Sequence, residues 1–218
     1  MDSPLIPEYV MDYLDNLVPP RPPEMQAMEA HAQEIDFPII GPASGYLCYQ
    51  VARMIGARRI FELGSGYGYS TAWFARAVRE NGGGEVFHVV WDEELSQQAR
   101  RHLAALGYAD MIRYRVAEAV QTLRTTDGPF DLIFNDINKD GYAASLPVIA
   151  AKLRPGGVLI VDNMLWHGRV FDAADRAAET ESVRKLTEML TCSPDWIVSL
   201  VPVRDGVMVA YKQNPYTP

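Results

Sequence analysis

Two strand-like stretches end in groups that bind ions or move protons. FDLIFNDINKDGY (residues 130–142) runs from the apolar Phe130, Leu132, Ile133 and Phe134 into Asn135, Asp136, Asn138, Lys139 and Asp140. GVLIVDNMLWHG (157–168) delivers Asp162 and Asn163 after an equally apolar run. Asp136, Asp162 and Asn163 offer only oxygen donors. That set suits Mg²⁺ (or Ca²⁺ or Mn²⁺) and leaves coordination positions for water and substrate. Zinc is disfavoured, because neither Cys nor His shares the pattern. Lys139 follows Asp136 by three residues, and a divalent ion nearby disfavours an ammonium, which suits Lys139 to act as a general base. The alternative for either stretch alone is a capped turn, with Lys139 paired to Asp140. His167 stays outside the catalytic set as a loop histidine, and Met164, Leu165 and Trp166 read as an apolar wall.

A third stretch, FELGSGYGYSTAWFARAV (61–78), places a strand, a glycine turn and a helix in succession. Gly64, Gly66 and Gly68 let the backbone bend tightly and approach a ligand, and Ser70 is a candidate cap for the helix. The free amides of that helix start suit a carboxylate or phosphate. Glu62, just ahead of the first glycine, would repel a pyrophosphate and attract an ammonium. The ligand therefore reads as zwitterionic, like the methionyl end of S-adenosylmethionine; the alternative pairs Glu62 with Arg58. An acid about 20 residues further on commonly binds ribose hydroxyls. The candidate in HVVWDEEL (88–95) is Asp92, unless it and its neighbours Glu93 and Glu94 are first-turn acids of the next helix.

These groups need a scaffold that brings distant chain segments to one edge. Apolar runs at 58–64, 85–91, 111–117, 130–136 and 157–163 alternate with helix-like stretches at 70–81, 93–106, 118–125 and 142–153. Near-continuous apolar strands in that rhythm predict a parallel sheet covered on both faces, which binds ligands outside the carboxyl ends of its strands. WIVSLVPV (196–203) and GVMVAYK (206–212) are separated only by Arg204 and Asp205, so they predict an antiparallel pair. Residues 1–57 contain no clear strand. Tyr9, Val10, Tyr13, Leu14 and Leu17 recur at helical spacing, VPPRPPE (18–24) breaks the helix, and further helices are predicted from Met25, Met28 and Ala32 and over 44–56. The expectation is one domain, with 1–57 as a helical cap and 58–218 as a Rossmann-like core.

With 218 residues, 48% of them hydrophobic and 22% charged, the chain suits one globular domain. No apolar run is long enough to span a bilayer. The start lacks the pattern of a signal peptide, and Cys48 and Cys192 are the only cysteines, so a reducing cytoplasm is expected. Twenty basic against 28 acidic residues give a net charge of −8, which disfavours nucleic acid as a partner and favours a small molecule. Arg100, Arg101, Arg113 and Arg115 could form a local basic patch, but solvated helix and strand positions explain them more simply.

The segments ELGSGYGYS (62–70), NDINKDGY (135–142), LRPGGVLIVDNMLWHGRV (153–170) and RDGVMVAYK (204–212) resemble the cation-dependent class I O-methyltransferases, the family of catechol and caffeoyl-CoA O-methyltransferases. The resemblance runs from about residue 25 to 212. It implies an α/β, Rossmann-like S-adenosylmethionine-dependent fold whose seven-stranded, mostly parallel sheet has an antiparallel last strand. It also implies a homodimer. Residue by residue, Asp136, Asp162 and Asn163 match the metal ligands and Lys139 the proposed base. Glu62, Gly64 and Ser70 match positions around the methionyl group, in the turn that includes Gly66 and Gly68; Asp136 borders the same cofactor, and Glu118 falls where adenine is contacted. The departure is Val90, where the family pattern acid-x-Asp-x-Glu-Leu carries the ribose-binding acid. Losing that acceptor costs about 1.5–3 kcal/mol of cofactor binding unless Asp92 replaces it.

The expected chemistry is methyl transfer from S-adenosylmethionine to a hydroxyl of a catechol-like or caffeoyl-type ring, with a Mg²⁺-class ion as Lewis acid and Lys139 as base. One alternative acceptor is 5-hydroxyuridine in tRNA. Another reading, prompted by Val90, is a non-catalytic cofactor-binding or interaction protein.

Overall fold

The computed structural model describes residues 5–214. Five short apolar runs form parallel strands: β1 (Arg59–Leu63), β2 (Glu85–Val90), β3 (Ile112–Val116), β4 (Phe130–Asn135) and β5 (Leu153–Val161). Between them lie α4 (Tyr69–Glu80), α5 (Glu93–Ala105), α6 (Ala119–Thr125) and α7 (Tyr142–Lys152), preceded by α1 (Glu8–Leu17), α2 (Pro23–Glu34) and α3 (Gly41–Met54). After α8 (Ala178–Thr191), β6 (Trp196–Val201) and β7 (Val207–Lys212) complete a sheet of order β3-β2-β1-β4-β5-β7-β6. β7 inserts between β5 and β6 and runs antiparallel to both, with Leu159 opposite Ala210 and Ser199 opposite Val209. The expected antiparallel strand is therefore present, and the short Arg204–Asp205 connection makes it.

The central strands are buried on both faces because each face meets its own apolar layer. Ile60, Phe134, Val158 and Ile160 pack with Trp73, Phe74 and Met28 on one side. Phe61, Leu63, Ile133, Leu159 and Val161 pack with Tyr142, Ile149, Val183 and Leu186 on the other. Side chains alternate across a strand, so consecutive apolar residues feed both layers. The reversal of strand order at β1 and β4 opens a crevice at their carboxyl ends, where an open α/β sheet receives ligands.

Several boundaries differ from the expected ones. β5 starts at Leu153 rather than 157, passing through Pro155 and Gly156 with a register irregularity opposite Phe130–Leu132. β4 and β5 stop one or two residues early, which puts Asp136, Asp162 and Asn163 in the loops beyond the strands, at the crevice. The third helix covers Gly41–Met54 rather than 44–56. α8 and the kinked 3₁₀ segment Trp166–Phe171, interrupted by left-handed backbone at His167 and Gly168, were not foreseen. α1 turns Met11 and Leu14 inward, while Tyr9, Tyr13 and Leu17 are exposed. Cys48 and Cys192 are free thiols, and among the described residues no helix is long and apolar enough to cross a membrane.

Candidate active site

A cleft of about 1640 Å³ opens over the carboxyl ends of β1, β2, β4 and β5. Its size exceeds the range of a pocket for one small ligand, roughly 300–1,000 Å³, and leaves room for two side by side. Gly64, Gly66, Glu118, Asp136, Lys139, Asp162 and Asn163 all line it. Among the described residues, four of the five non-glycine positions with positive φ line it as well: Asn163 (56°), Trp166 (47°), His167 (52°) and Arg204 (54°). Such conformations cost about 1–3 kcal/mol each and cluster where the surroundings hold functional groups in place.

The loop after β4 brings Lys139 back onto Asp136. Lys139 Nζ donates to Asp136 Oδ1 at 2.7 Å and to the Ile137 carbonyl at 3.3 Å, and it sits 5.0 Å from the centre of the Tyr142 ring. The pairing with Asp140 is not formed. Tyr142, the first residue of α7, donates its hydroxyl to the Asp162 carbonyl at 2.8 Å and so ties the two acidic loops together. Asp162 is 2% exposed, and its Oδ1 is buried with no hydrogen-bond partner among the described residues. Burial, reinforced by the neighbouring Asp136, pushes the Asp162 carboxyl up to about 7; Arg204 opposes the shift. Asp136 is also raised by the protein packed around it, against the pull of Lys139. Two carboxylates are thus held together in a low-dielectric site with less positive charge than they call for.

Asp205 was not singled out from the sequence. It is 7% exposed, accepts from the Asn163 amide at 3.2 Å and from the His167 backbone N–H at 2.6 Å. With its nitrogen engaged by Asp205, Asn163 has its oxygen left for a ligand. The signal was the Arg-Asp-Gly of the β6–β7 turn, which returns from the far edge of the sheet to this loop. His167 acts here through its backbone, and its ring is 71% exposed.

The glycine turn is fixed by close approach. A Cβ on Gly64, at φ 85°, would lie 2.4 Å from the Asp136 carbonyl oxygen, so only glycine lets the β1 and β4 loops touch. Beneath it Glu62 is fully buried and does not reach Arg58. Thr71 Oγ1 donates to Glu62 Oε2 at 2.5 Å and contacts His88 Nδ1 at 3.0 Å. Glu62 Oε1 and His88 Nε2 have no partner among the described residues. Burial pushes the Glu62 carboxyl up to about 8, although the Ser70, Thr71 and Ser65 hydroxyls pull it down. Burial likewise drives the His88 imidazole down to about 3, so it is neutral.

Of the expected cofactor residues, Ser70 and Asp92 are placed differently, while Glu118 lines the cleft. Ser70 is not the helix cap: Gly68, at φ 95°, holds that position without a side-chain bond, and Ser70 lies inside α4 near Glu62. Asp92 caps α5, accepting from Leu95 N at 2.8 Å, and does not line the cleft. Glu118 lines the cleft but its carboxylate caps α6, accepting from Val120 N at 2.9 Å and Gln121 N at 2.5 Å. Val90 ends β2 on the cleft wall, next to the 76% exposed Trp91.

The cleft, its glycine turn and its paired acids can be set against known proteins. The sequence pattern of one family, described as O-methyltransferase, matches residues 24–213. The chain belongs to that O-methyltransferase family. This O-methyltransferase is 31% identical over 193 residues to a catechol O-methyltransferase of Mycobacterium tuberculosis, covering 87% of this chain and 86% of that one. It is 28% identical over 180 residues to a catechol O-methyltransferase of Niastella koreensis, covering 78% and 80%. Among solved structures it is similar to the O-methyltransferase TomG of Streptomyces achromogenes, involved in tomaymycin synthesis and solved in complex with SAM. That match has a TM-score of 0.83 at 28% identity over 94% of this chain and 96% of the other. An O-methyltransferase of Bacillus cereus, in complex with SAH, shares the fold with a TM-score of 0.85 at 24% identity over 94% and 97%.

Proposed function

We propose that this enzyme transfers the methyl group of S-adenosylmethionine to a hydroxyl of a small catechol-like acceptor, and that it does so with a divalent cation of the Mg²⁺ class. The observation that carries the proposal is the Asp136–Asp162 pair, Asp162 buried with an orphaned oxygen and Asp136 partly buried with Lys139 alongside. The donor set fits the ion. Asp136 and Asp162 supply charge and Asn163 supplies a neutral oxygen, an all-oxygen combination for a hard cation. Among the described residues no group of three or more His, Cys, Asp or Glu side chains is arranged to hold a metal, and the proposed set has two acids and an amide.

A cation held there supplies Lewis acidity that makes a catechol hydroxyl easier to deprotonate. Lys139, hydrogen-bonded to Asp136 here, would accept the hydroxyl proton as a neutral amine, its own ammonium proton having passed to solvent once a cation competes for Asp136. The deprotonated oxygen then forms its bond to the methyl carbon while the carbon–sulfur bond breaks, sulfur keeping the electron pair. Trp166, Phe37 and Ile39 wall the cleft and exclude water from the reacting atoms. Alignment of the two reactants supplies most of the acceleration. On the donor side, Glu62 provides a buried carboxyl beneath the turn that receives the amino acid end, protonated in the empty cleft and ionised when an ammonium group pairs with it, and Gly64 and Gly66 give the backbone its close approach. The homodimer belongs to the same proposal, with the exposed Tyr9, Tyr13 and Leu17 of α1 as the surface it would cover.

The test is methyl transfer from labelled S-adenosylmethionine to catechol, with product identified by mass. Activity is expected in Mg²⁺, lost in excess EDTA and restored by added Mg²⁺. Full activity in EDTA would remove the cation from the proposal. Transfer to bulk tRNA and not to catechol would replace the acceptor.

A further inference from the structure

Arg204 stands in the connection between β6 and β7 with φ 54°, a left-handed backbone that glycine adopts freely and a residue with a Cβ adopts at a cost of order 1 kcal/mol or more. An arginine kept in a conformation that favours glycine calls for a role for its side chain. The stem rests against the start of α3, with Cδ 3.9 Å from where a Gly41 Cβ would be. The guanidinium, 35% exposed, lines the cleft on the side of Asp162 and Asn163.

Its five N–H donors are poorly used. Among the described residues its nearest ion-pair partner is Asp162 Oδ2 at 4.0 Å, beyond hydrogen-bond range, and its charge also reaches Asp15 and Asp136 without a hydrogen bond. Other cations at this end of the cleft are committed: Lys139 to Asp136 and Arg169 to Asp175, each at 2.7 Å. Neutralising Asp162 from 4.0 Å explains the charge but not the cost of the backbone, and in the proposed function Asp162 is claimed by the ion. A guanidinium that is always charged, forked and open to a cleft is matched by a carboxylate, which it binds through two parallel hydrogen bonds.

We infer that Arg204 binds an anionic substituent of the acceptor, so that the acceptor class is a catechol carrying a ring carboxylate rather than an uncharged catechol. The inference rests on the proposed function and sharpens it. The experiment compares kcat/KM for 3,4-dihydroxybenzoate and for catechol under the same Mg²⁺ and S-adenosylmethionine. It uses the wild type, Arg204→Gly, which suits the backbone, and Arg204→Lys, which keeps the charge and loses the fork. A charge-assisted pair corresponds to about tenfold to a hundredfold, so the wild type should prefer 3,4-dihydroxybenzoate by at least about tenfold. In Arg204→Gly the ratio should fall toward one, with Arg204→Lys between. Calorimetry of 3,4-dihydroxybenzoate binding to enzyme saturated with S-adenosylhomocysteine and Mg²⁺ should show the same loss. A wild-type ratio near one with catechol methylated overturns the inference alone, as does a preference that survives in Arg204→Gly. Methylation of neither compound by enzyme that binds S-adenosylhomocysteine overturns the proposed acceptor and the inference with it.

Discussion

Val90→Glu should tighten binding of the methyl donor. Val90 is the last residue of β2, 5% exposed, and its side chain forms part of the cleft wall. Asp92, two residues on, accepts from the Leu95 amide and stays off the wall, and Glu118 on the wall accepts from the Val120 and Gln121 amides, so both nearby acids are engaged by helix amides. A carboxylate accepting from a hydroxyl contributes about 1.5–3 kcal/mol, which is about tenfold to a hundredfold in affinity. Desolvating the new charge at a nearly buried position offsets part of that, so about tenfold is the working expectation. Calorimetric titration with S-adenosylhomocysteine measures it directly, with Val90→Gln as a neutral control of the same length that should gain less. Asp92→Ala should affect chiefly α5, at about 1 kcal/mol for a lost cap. The reasoning is refuted if a folded Val90→Glu binds no tighter than the wild type. It is equally refuted if Asp92→Ala alone weakens the ligand tenfold, since Asp92 would then be the ribose acceptor.

Three further outcomes are expected. Glu62 holds its proton to about 8 in the folded chain against 4.5 for an ordinary glutamate, so its contribution to stability is present at low pH and lost as pH rises toward 8. Glu62→Gln should therefore melt higher than the wild type at pH 8 and lose S-adenosylhomocysteine binding; an unchanged melting difference between pH 5 and pH 8 would contradict the assignment. Thr71→Val breaks the Glu62–Thr71–His88 chain, and because a hydrogen bond to a charged partner is about twice as strong as a neutral one, affinity for S-adenosylhomocysteine should fall about five- to tenfold. Unaltered affinity would leave Thr71 a packing residue. Asp205→Ala frees the Asn163 amide and the His167 N–H, and should cost about 1–3 kcal/mol in denaturant unfolding together with a weaker response to Mg²⁺. Unchanged Mg²⁺ dependence would separate Asp205 from the cation set.

The alternation of apolar strands with amphipathic stretches made the sheet and its layers legible, because burial on both faces demands continuous apolar runs such as Leu132–Phe134 and Val158–Val161. The crevice followed from the rule that strands deliver ligands at their carboxyl ends, and Asp136, Lys139, Asp162 and Asn163 do meet there. α8 carries Thr180, Val183, Leu186 and Leu190 at helical spacing, a pattern that was available but stood behind a long loop with no strand to announce it. Asp92 and Glu118 show a different limit. An acid at a strand–helix junction satisfies a helix amide as readily as a ligand, and residue type and spacing do not distinguish the two uses. Asp205 and Arg204 act on loops about 40 residues away, a proximity created by the insertion of β7 between β5 and β6. The strain at Arg204 is a backbone property that no residue pattern reveals.

The cation set is the centre of the account, and anomalous diffraction from crystals grown with Mn²⁺ and S-adenosylhomocysteine addresses it most directly. One strong peak is expected in the cleft, bonded by Asp136, Asp162 and the Asn163 side-chain oxygen, and absent from Asp162→Ala crystals. A cleft with bound S-adenosylhomocysteine and no peak between the two aspartates would contradict it.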